Sequence, residues 1–134
     1  MQLPAVRQRG GNDCGLAALA TVAAHHGRAL DYGELTDAVA LDGDGTDLLT
    51  LSRLAERLGF RTRGVRASYD AIASCPLPVI AHVRRRFGSG HFVVVHRWTP
   101  GHVVVADPAS GLRRLSRRAF CRRGTGYLLI VQPS

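Results

Sequence analysis

Gln8-Arg9-Gly10-Gly11-Asn12-Asp13-Cys14-Gly15 runs straight into Leu16-Ala17-Ala18-Leu19-Ala20-Thr21-Val22-Ala23, and the reading of the chain turns on this stretch. Leu16, Leu19, Val22 and Ala23 recur at helical spacing, so residues 14–26 read as a helix with Asp13 as N-cap and Gly27 as C-cap. Cys14 then stands at a helix N-terminus, where the partial positive charge lowers a thiol pKa and a neighbouring imidazolium lowers it further. The thiolate is the nucleophile, so this placement carries more meaning than the presence of a Cys. Downstream, Ser89-Gly90-His91 opens a Val-rich run, and Val105-Ala106-Asp107-Pro108 closes the next one. A thiol, an imidazole and a carboxylate at the edges of regular elements are the parts of a cysteine hydrolase.

Outward from that helix, a second is expected over 31–40, with Leu35 and Val39 four apart. Asp42-Gly43-Asp44-Gly45 reads as a turn, because the later ligands of a calcium loop are missing. Thr46 is expected to cap a third helix over 47–58, with Leu48, Leu51, Leu54, Ala55 and Leu58 on one face and Gly59 ending it. The second half changes period. Strands are expected at 60–65, 77–83, 91–98, 102–106 and 126–131, with a short helical turn around 69–73. Three helices followed by an antiparallel sheet is an α+β pattern, and 134 residues suit a single domain over the whole chain.

The Thr99-Pro100-Gly101 turn has a mechanistic consequence. Side chains alternate faces along a strand, so a two-residue Pro100-Gly101 connection would set Asp107 opposite Val94, on the wrong face for His91. An odd-length connection or a bulge would set it opposite Val93 or Val95, on the face of His91. A catalytic role for both residues therefore predicts one or the other.

Bulk composition narrows the classes. Hydrophobic residues make up 46% of the chain, yet no apolar run approaches the roughly 20 residues that cross a bilayer, and residues 1–7 lack a signal-peptide core. A cytosolic protein, or the cytosolic piece of something larger, is expected. Cys14, Cys75 and Cys121 are dispersed, with neither a C-x-x-C pair nor zinc-type spacing, so free thiols in a reducing compartment are expected, without a disulfide framework or a metal. The formal charge is +8, and every one of the 18 basic residues is Arg. That balance fits an acidic partner, and equally a solvated basic face. Nucleic-acid binding is disfavoured, because the aromatics are not interleaved with the Arg clusters as a stacking platform requires.

Each candidate has a plainer reading. Asp107 can be a turn-former before Pro108, and Gln8 a loop hydrogen-bonder. Asp13, although beside the thiol, reads as cap and loop anchor. Cys75 and Cys121 read as core or loop thiols. Among the other histidines, His82 is the runner-up base near the end of its own strand. His96 and His102 lie deeper or after the turn, and His25 and His26 close the first helix.

Taken in order and spacing, the Gln8…Asp13-Cys14-Gly15 run, the Gly90-His91-Phe92-Val93-Val94 strand and the Val105-Ala106-Asp107-Pro108 step resemble peptidase family C39, the double-glycine leader peptidases of bacteriocin export. His26-Gly27, Leu58-Gly59-Phe60, Leu77-Pro78-Val79-Ile80-Ala81 and Gly126-Tyr127-Leu128 extend the resemblance over nearly the whole chain. It implies a papain-like fold, with N-terminal helices packed on a C-terminal antiparallel sheet. It also implies roles: Cys14 as nucleophile, His91 as base and then acid, Asp107 orienting His91, and Gln8 donating to the oxyanion with the Cys14 N–H. No cofactor is implied. The implied partner is a precursor peptide with an amphipathic, acidic leader, cut after a double-glycine-type motif. The implied setting is cytoplasmic, beside an ABC transporter in the same chain or a separate one. The alternative is a non-catalytic leader-binding domain of the same fold, although such domains typically lack the nucleophile that Cys14 supplies.

Overall fold

The computed structural model of the chain describes residues 3–10, 13–38, 47–84 and 90–134. Helix α1 (Cys14–His25) is followed by α2 (Tyr32–Ala38) and α3 (Leu48–Arg57), and then by strand β1 (Phe60–Arg66). A 3₁₀ turn (Asp70–Ser74) leads to β2 (Val79–Val83), β3 (His91–Trp98), β4 (His102–Asp107) and β5 (Gly111–Ser116). Helix α4 (Arg117–Arg123) and β6 (Gly124–Pro133) complete the chain. The strands form one antiparallel sheet in the order β1-β6-β2-β3-β4-β5.

Helix α1 is apolar on every side, and each residue from Cys14 to Ala23 is buried. Such a helix needs neighbours all round. It lies on the sheet face formed by Ile80, Phe92, Val94, Ala106 and Leu129, with α2 and α3 covering it through Leu35, Leu51 and Leu54. Leu16 and Leu19 are wholly enclosed, and burial of each such side chain stabilises by about 1.5–3 kcal/mol. The opposite sheet face, with Val79, Ala81, Val93, Val95 and Val105, packs beneath Tyr69, Ile72 and Phe120 of the 3₁₀ turn and α4. Strand β3 is thus apolar on both faces, which explains its unbroken Phe92-Val93-Val94-Val95 run.

The α+β architecture matches the expectation, with two additions and one change. Strand β5 and helix α4 went unforeseen because Leu112-Arg113-Arg114-Leu115 is an edge strand with only weak alternation. Arg117–Arg123 buries a single residue, Phe120. Ser116 caps α4, accepting from the Ala119 N–H at 3.0 Å. The cap of α3 is Asp47, whose carboxylate accepts from the Thr50 N–H at 2.8 Å; Thr46 and the 42–45 turn lie outside the described residues. The same is true of residues 39–40, the expected end of the second helix. Among the described residues, no helix is long and apolar enough to cross a membrane.

The β3–β4 hairpin contains the predicted irregularity. Thr99 and His102 close a tight turn over Pro100-Gly101, through a Thr99 N–H to His102 carbonyl bond of 2.8 Å. Trp98 pairs with Val103 and Arg97 with Val104, but Val95 pairs with Val105 and Val94 with Ala106. His96 is the extra residue, a bulge that flips the register of everything beyond it. Continued by one residue, the register sets Asp107 opposite Val93, on the face of His91.

Candidate active site

Cys14 is the first residue of α1 and is 7% exposed. Its neighbour is a glycine for a packing reason: a Cβ on Gly15 would lie 3.0 Å from Leu51 Cδ1, so the first turn of α1 rests directly on α3. His91 begins β3, is 2% exposed, and pairs with Val83 of β2. Asp107 ends β4 and is 7% exposed. His91 Nε2 donates to Asp107 Oδ1 at 2.7 Å, and the Ala109 N–H donates to the same oxygen at 2.9 Å. The Cys14 side chain hydrogen-bonds to the same imidazole. The structure therefore joins a thiol, an imidazole and a carboxylate in series.

The electrostatics follow from those contacts. Burial works to lower the His91 pKa, but the hydrogen bonds to Asp107 and Cys14, together with their charges, carry it above its ordinary 6.5. Burial likewise works to raise Asp107, and the His91 bond, the Ala109 N–H and the nearby positive charges of His91 and Arg123 hold it below the usual 3.8. An imidazolium is thus favoured between two anionic partners, which is the state a thiolate–imidazolium pair requires.

Gln8 belongs to an N-terminal segment stapled across the molecule. The Val6 N–H donates to Thr21 Oγ1 of α1 at 2.9 Å, and the Pro4 carbonyl faces His96 Nε2 at 2.7 Å. The Gln8 N–H donates to the Pro108 carbonyl at 2.9 Å, one residue past Asp107. The Gln8 side-chain amide donates to the Gly10 carbonyl at 2.6 Å. Its Oε1 is buried and takes no hydrogen bond from the described residues.

Asp13 occupies the N-cap position but its side chain does not cap α1. Its carboxylate turns back to accept from the Arg9 and Gly10 N–H groups, each at 2.8 Å, and from the Tyr32 hydroxyl. The loop-anchor reading of Asp13 therefore holds and the side-chain cap does not. Tyr32, the first residue of α2, was missed. No periodicity marks a Tyr whose hydroxyl reaches 19 positions back in sequence.

His82, the runner-up base, stands apart from the series. Its Nδ1 meets Thr125 Oγ1 at 3.1 Å, its ring packs on Phe92, and it covers Gly90. Burial, with the charges of Arg84 and His91, lowers its pKa. Cys75 is half-buried against the Ala71 carbonyl, and Cys121 is exposed on α4.

A groove of about 370 Å³ opens on the sheet face beneath α4. Tyr69, Ile72, Phe120 and Leu128 line it, with Arg66 and His82. None of Cys14, His91 or Asp107 forms its wall; one of its lining residues, His82, fills the space beside Gly90, the residue before His91.

Known proteins share both the sequence pattern and the fold of this chain. The sequence model described as the Peptidase C39 family matches residues 2–134. The chain is 32% identical to the pediocin PA-1 transport/processing ATP-binding protein PedD of Pediococcus acidilactici, over 92% of this chain and 18% of that protein. It therefore spans under a fifth of the length of that relative. The peptidase domain of Streptococcus ComA, a bi-functional ABC transporter of a quorum-sensing pathway, superposes with a TM-score of 0.93 at 28% identity, covering 99% of this chain and all of that one. A double glycine motif protease from an AMS/PCAT transporter, crystallised with the leader peptide, superposes with a TM-score of 0.89 at 25% identity, covering 99% of this chain and 93% of that one.

Proposed function

The chain belongs to the peptidase C39 family, with its papain-like α+β fold, and from that premise we propose that it is a cysteine endopeptidase that removes leader peptides after a double-glycine-type motif. The observation that carries the reading is the series Cys14–His91–Asp107, buried at the start of α1 and at one end of the sheet. His91 takes the Cys14 proton, and the sulfur attacks the carbonyl carbon of the second small residue. The oxyanion takes hydrogen bonds from the Cys14 N–H and from the Gln8 amide, which leaves the Gly10 carbonyl to do so. The C–N bond then breaks as His91 gives its proton to the leaving amine, and a thioester remains on Cys14. Water attacks the thioester, His91 takes the proton from that water, and the thiol is regenerated as the acid leaves. Asp107 holds the imidazole in place throughout and stabilises its charge.

The partner in this reading is a precursor peptide with an acidic, amphipathic leader helix. Charge is unevenly distributed along the chain: residues 1–56 carry four Arg against eight carboxylates, and residues 57–134 carry fourteen Arg against two. Of those two, Asp107 serves His91 and Asp70 is paired with Arg117 at 2.7 Å. The groove lies in the basic half, with Tyr69, Ile72 and Phe120 for the apolar face of a helix and Arg66 for its acidic face. In this reading residues 1–134 act as one peptidase domain at the cytoplasmic face of a membrane, serving an ABC transporter.

The test is mass spectrometry of an acidic amphipathic leader peptide ending in Gly-Gly and extended by a few residues, incubated with the protein and with Cys14→Ala. One cut after the second Gly, lost in the variant, is the expected result. Binding without any cut would point to a leader-binding domain instead.

A further inference from the structure

We infer that Tyr32 is a positioning residue for the oxyanion donor: its hydroxyl fixes the Asp13 carboxylate against the Arg9 and Gly10 amides, and so sets the turn that carries Gln8. The inference rests on the peptidase reading and adds to it a residue outside the Cys–His–Asp–Gln set.

The geometry is that of a clamp closed from two sides. On the helical side, Asp13 is 3% exposed and its carboxylate accepts from the Arg9 N–H, the Gly10 N–H and the Tyr32 hydroxyl. On the sheet side, the Gln8 N–H is bonded to the Pro108 carbonyl. The short segment 8–10 is therefore pinned between the residue before the nucleophile and the residue after Asp107. Tyr32 is itself 5% exposed, and the Arg9 guanidinium lies over its ring at 4.5 Å from the centroid. Tyr32 thus touches both ends of the turn, by ring and by hydroxyl.

The orientation of Asp13 also matters for α1. An Asp at an N-cap ordinarily turns its carboxylate onto the first N–H groups of the helix. Here that would place a negative charge over the helix end on which the thiolate and the oxyanion depend. The Arg9 and Gly10 N–H groups draw the carboxylate onto the loop instead, and Asp13 serves the turn without capping α1. Deleting the Tyr32 hydroxyl leaves the Arg9 and Gly10 bonds in place, so the charge stays off the helix end while the turn, released from α2, loosens.

The test is Tyr32→Phe, which keeps the ring and its stacking with Arg9, alone and in a Gln8→Ala background. Amide hydrogen exchange at Arg9 and Gly10 reads the clamp directly and needs no substrate. Exchange there should quicken about tenfold in Tyr32→Phe, while the interior amides of α1 stay as protected as before. With the leader substrate, kcat should fall about tenfold at unchanged KM, and the rate of Cys14 alkylation should not change. In Gln8→Ala, adding Tyr32→Phe should cost less than about twofold more, because both act through one donor. Unchanged exchange at Arg9 and Gly10, or a tenfold cost that persists without Gln8, would overturn the inference. A parent protein that cuts no such peptide overturns the peptidase reading by itself, and the exchange experiment still judges the clamp separately.

Discussion

Asp107 Oδ1 lies 2.7 Å from His91 Nε2 because β3 carries one residue, His96, that has no counterpart on β4. Without that bulge the tight Pro100-Gly101 turn would send the carboxylate to the opposite face. The bond is charge-assisted, and exchanging the carboxylate for an amide removes the charge while keeping an acceptor. Hydrogen bonds to charged groups contribute about 1.5–3 kcal/mol, so Asp107→Asn should lower kcat by roughly 10- to 100-fold. Leader affinity should hardly change. Steady-state kinetics and a binding titration on the same variant check this; full turnover would remove Asp107 from the mechanism and leave a Cys–His dyad.

The pH dependence of turnover follows from the raised pKa of His91. The active pair needs the imidazolium, so the alkaline limb of kcat/KM reports loss of its proton. Because Asp107 and Cys14 hold that proton against the effect of burial, the limb should lie above the ordinary histidine value of 6.5. In Asp107→Asn one of these supports is gone, and the limb should move to lower pH. Profiles of kcat/KM for the two proteins that coincide would show that Asp107 does not hold the His91 proton.

Much of this site was legible in the sequence because its parts sit at the ends of strongly patterned elements. Cys14 heads a helix whose apolar residues are unmistakable, and His91 heads a strand buried on both faces. Even the need for an odd-length connection or a bulge could be reasoned from turn length and alternation, although His96 itself could not be named. Three things stayed hidden. Strand β5 and α4 are stabilised by edge pairing with β4 and by one buried Phe120, and their Arg-rich sequence carries neither period clearly. The groove is an assembly of residues 66–128 that no local pattern joins. Tyr32 acts through one hydroxyl on a carboxylate far away in the chain, and such a contact leaves no trace in periodicity.

Stability should fall in acid through histidines outside the Cys14–His91–Asp107 series. Burial lowers the pKa of His26, His82 and His96 below 6.5. The unfolded chain then binds protons that the folded one refuses, so stability is lost as pH drops through about 6.5 towards the folded values. His91 has the opposite sign: its contribution is complete below 6.5 and fades as pH rises through its raised folded pKa. Urea midpoints measured between about pH 5 and 8 should therefore decline on the acid side. His96→Gln, which can still donate to the Pro4 carbonyl, should flatten that decline. An acid slope identical to the parent would exclude His96 as a contributor.

Gly90 lacks a side chain because His82 occupies the space one would need. A Cβ at position 90 would lie 2.1 Å from His82 Nε2 and 2.7 Å from its Cε1. The ring cannot simply swing clear, since Thr125 holds its Nδ1 at 3.1 Å and Phe92 packs against it at 5.2 Å between centroids. Gly90→Ala must therefore displace either that ring or the backbone that leads into His91. Overpacking of this kind costs about 1–3 kcal/mol, and here part of it should appear as lower kcat through a shifted His91. Truncating the obstacle tests the cause: His82→Ala combined with Gly90→Ala should recover most of the stability and turnover that Gly90→Ala alone loses, a coupling expected only of side chains in direct contact. Because His82 also lines the groove, the double variant should keep a raised KM for the leader even as kcat returns. If the two losses simply added, the glycine would be serving its own backbone and not the histidine packed over it.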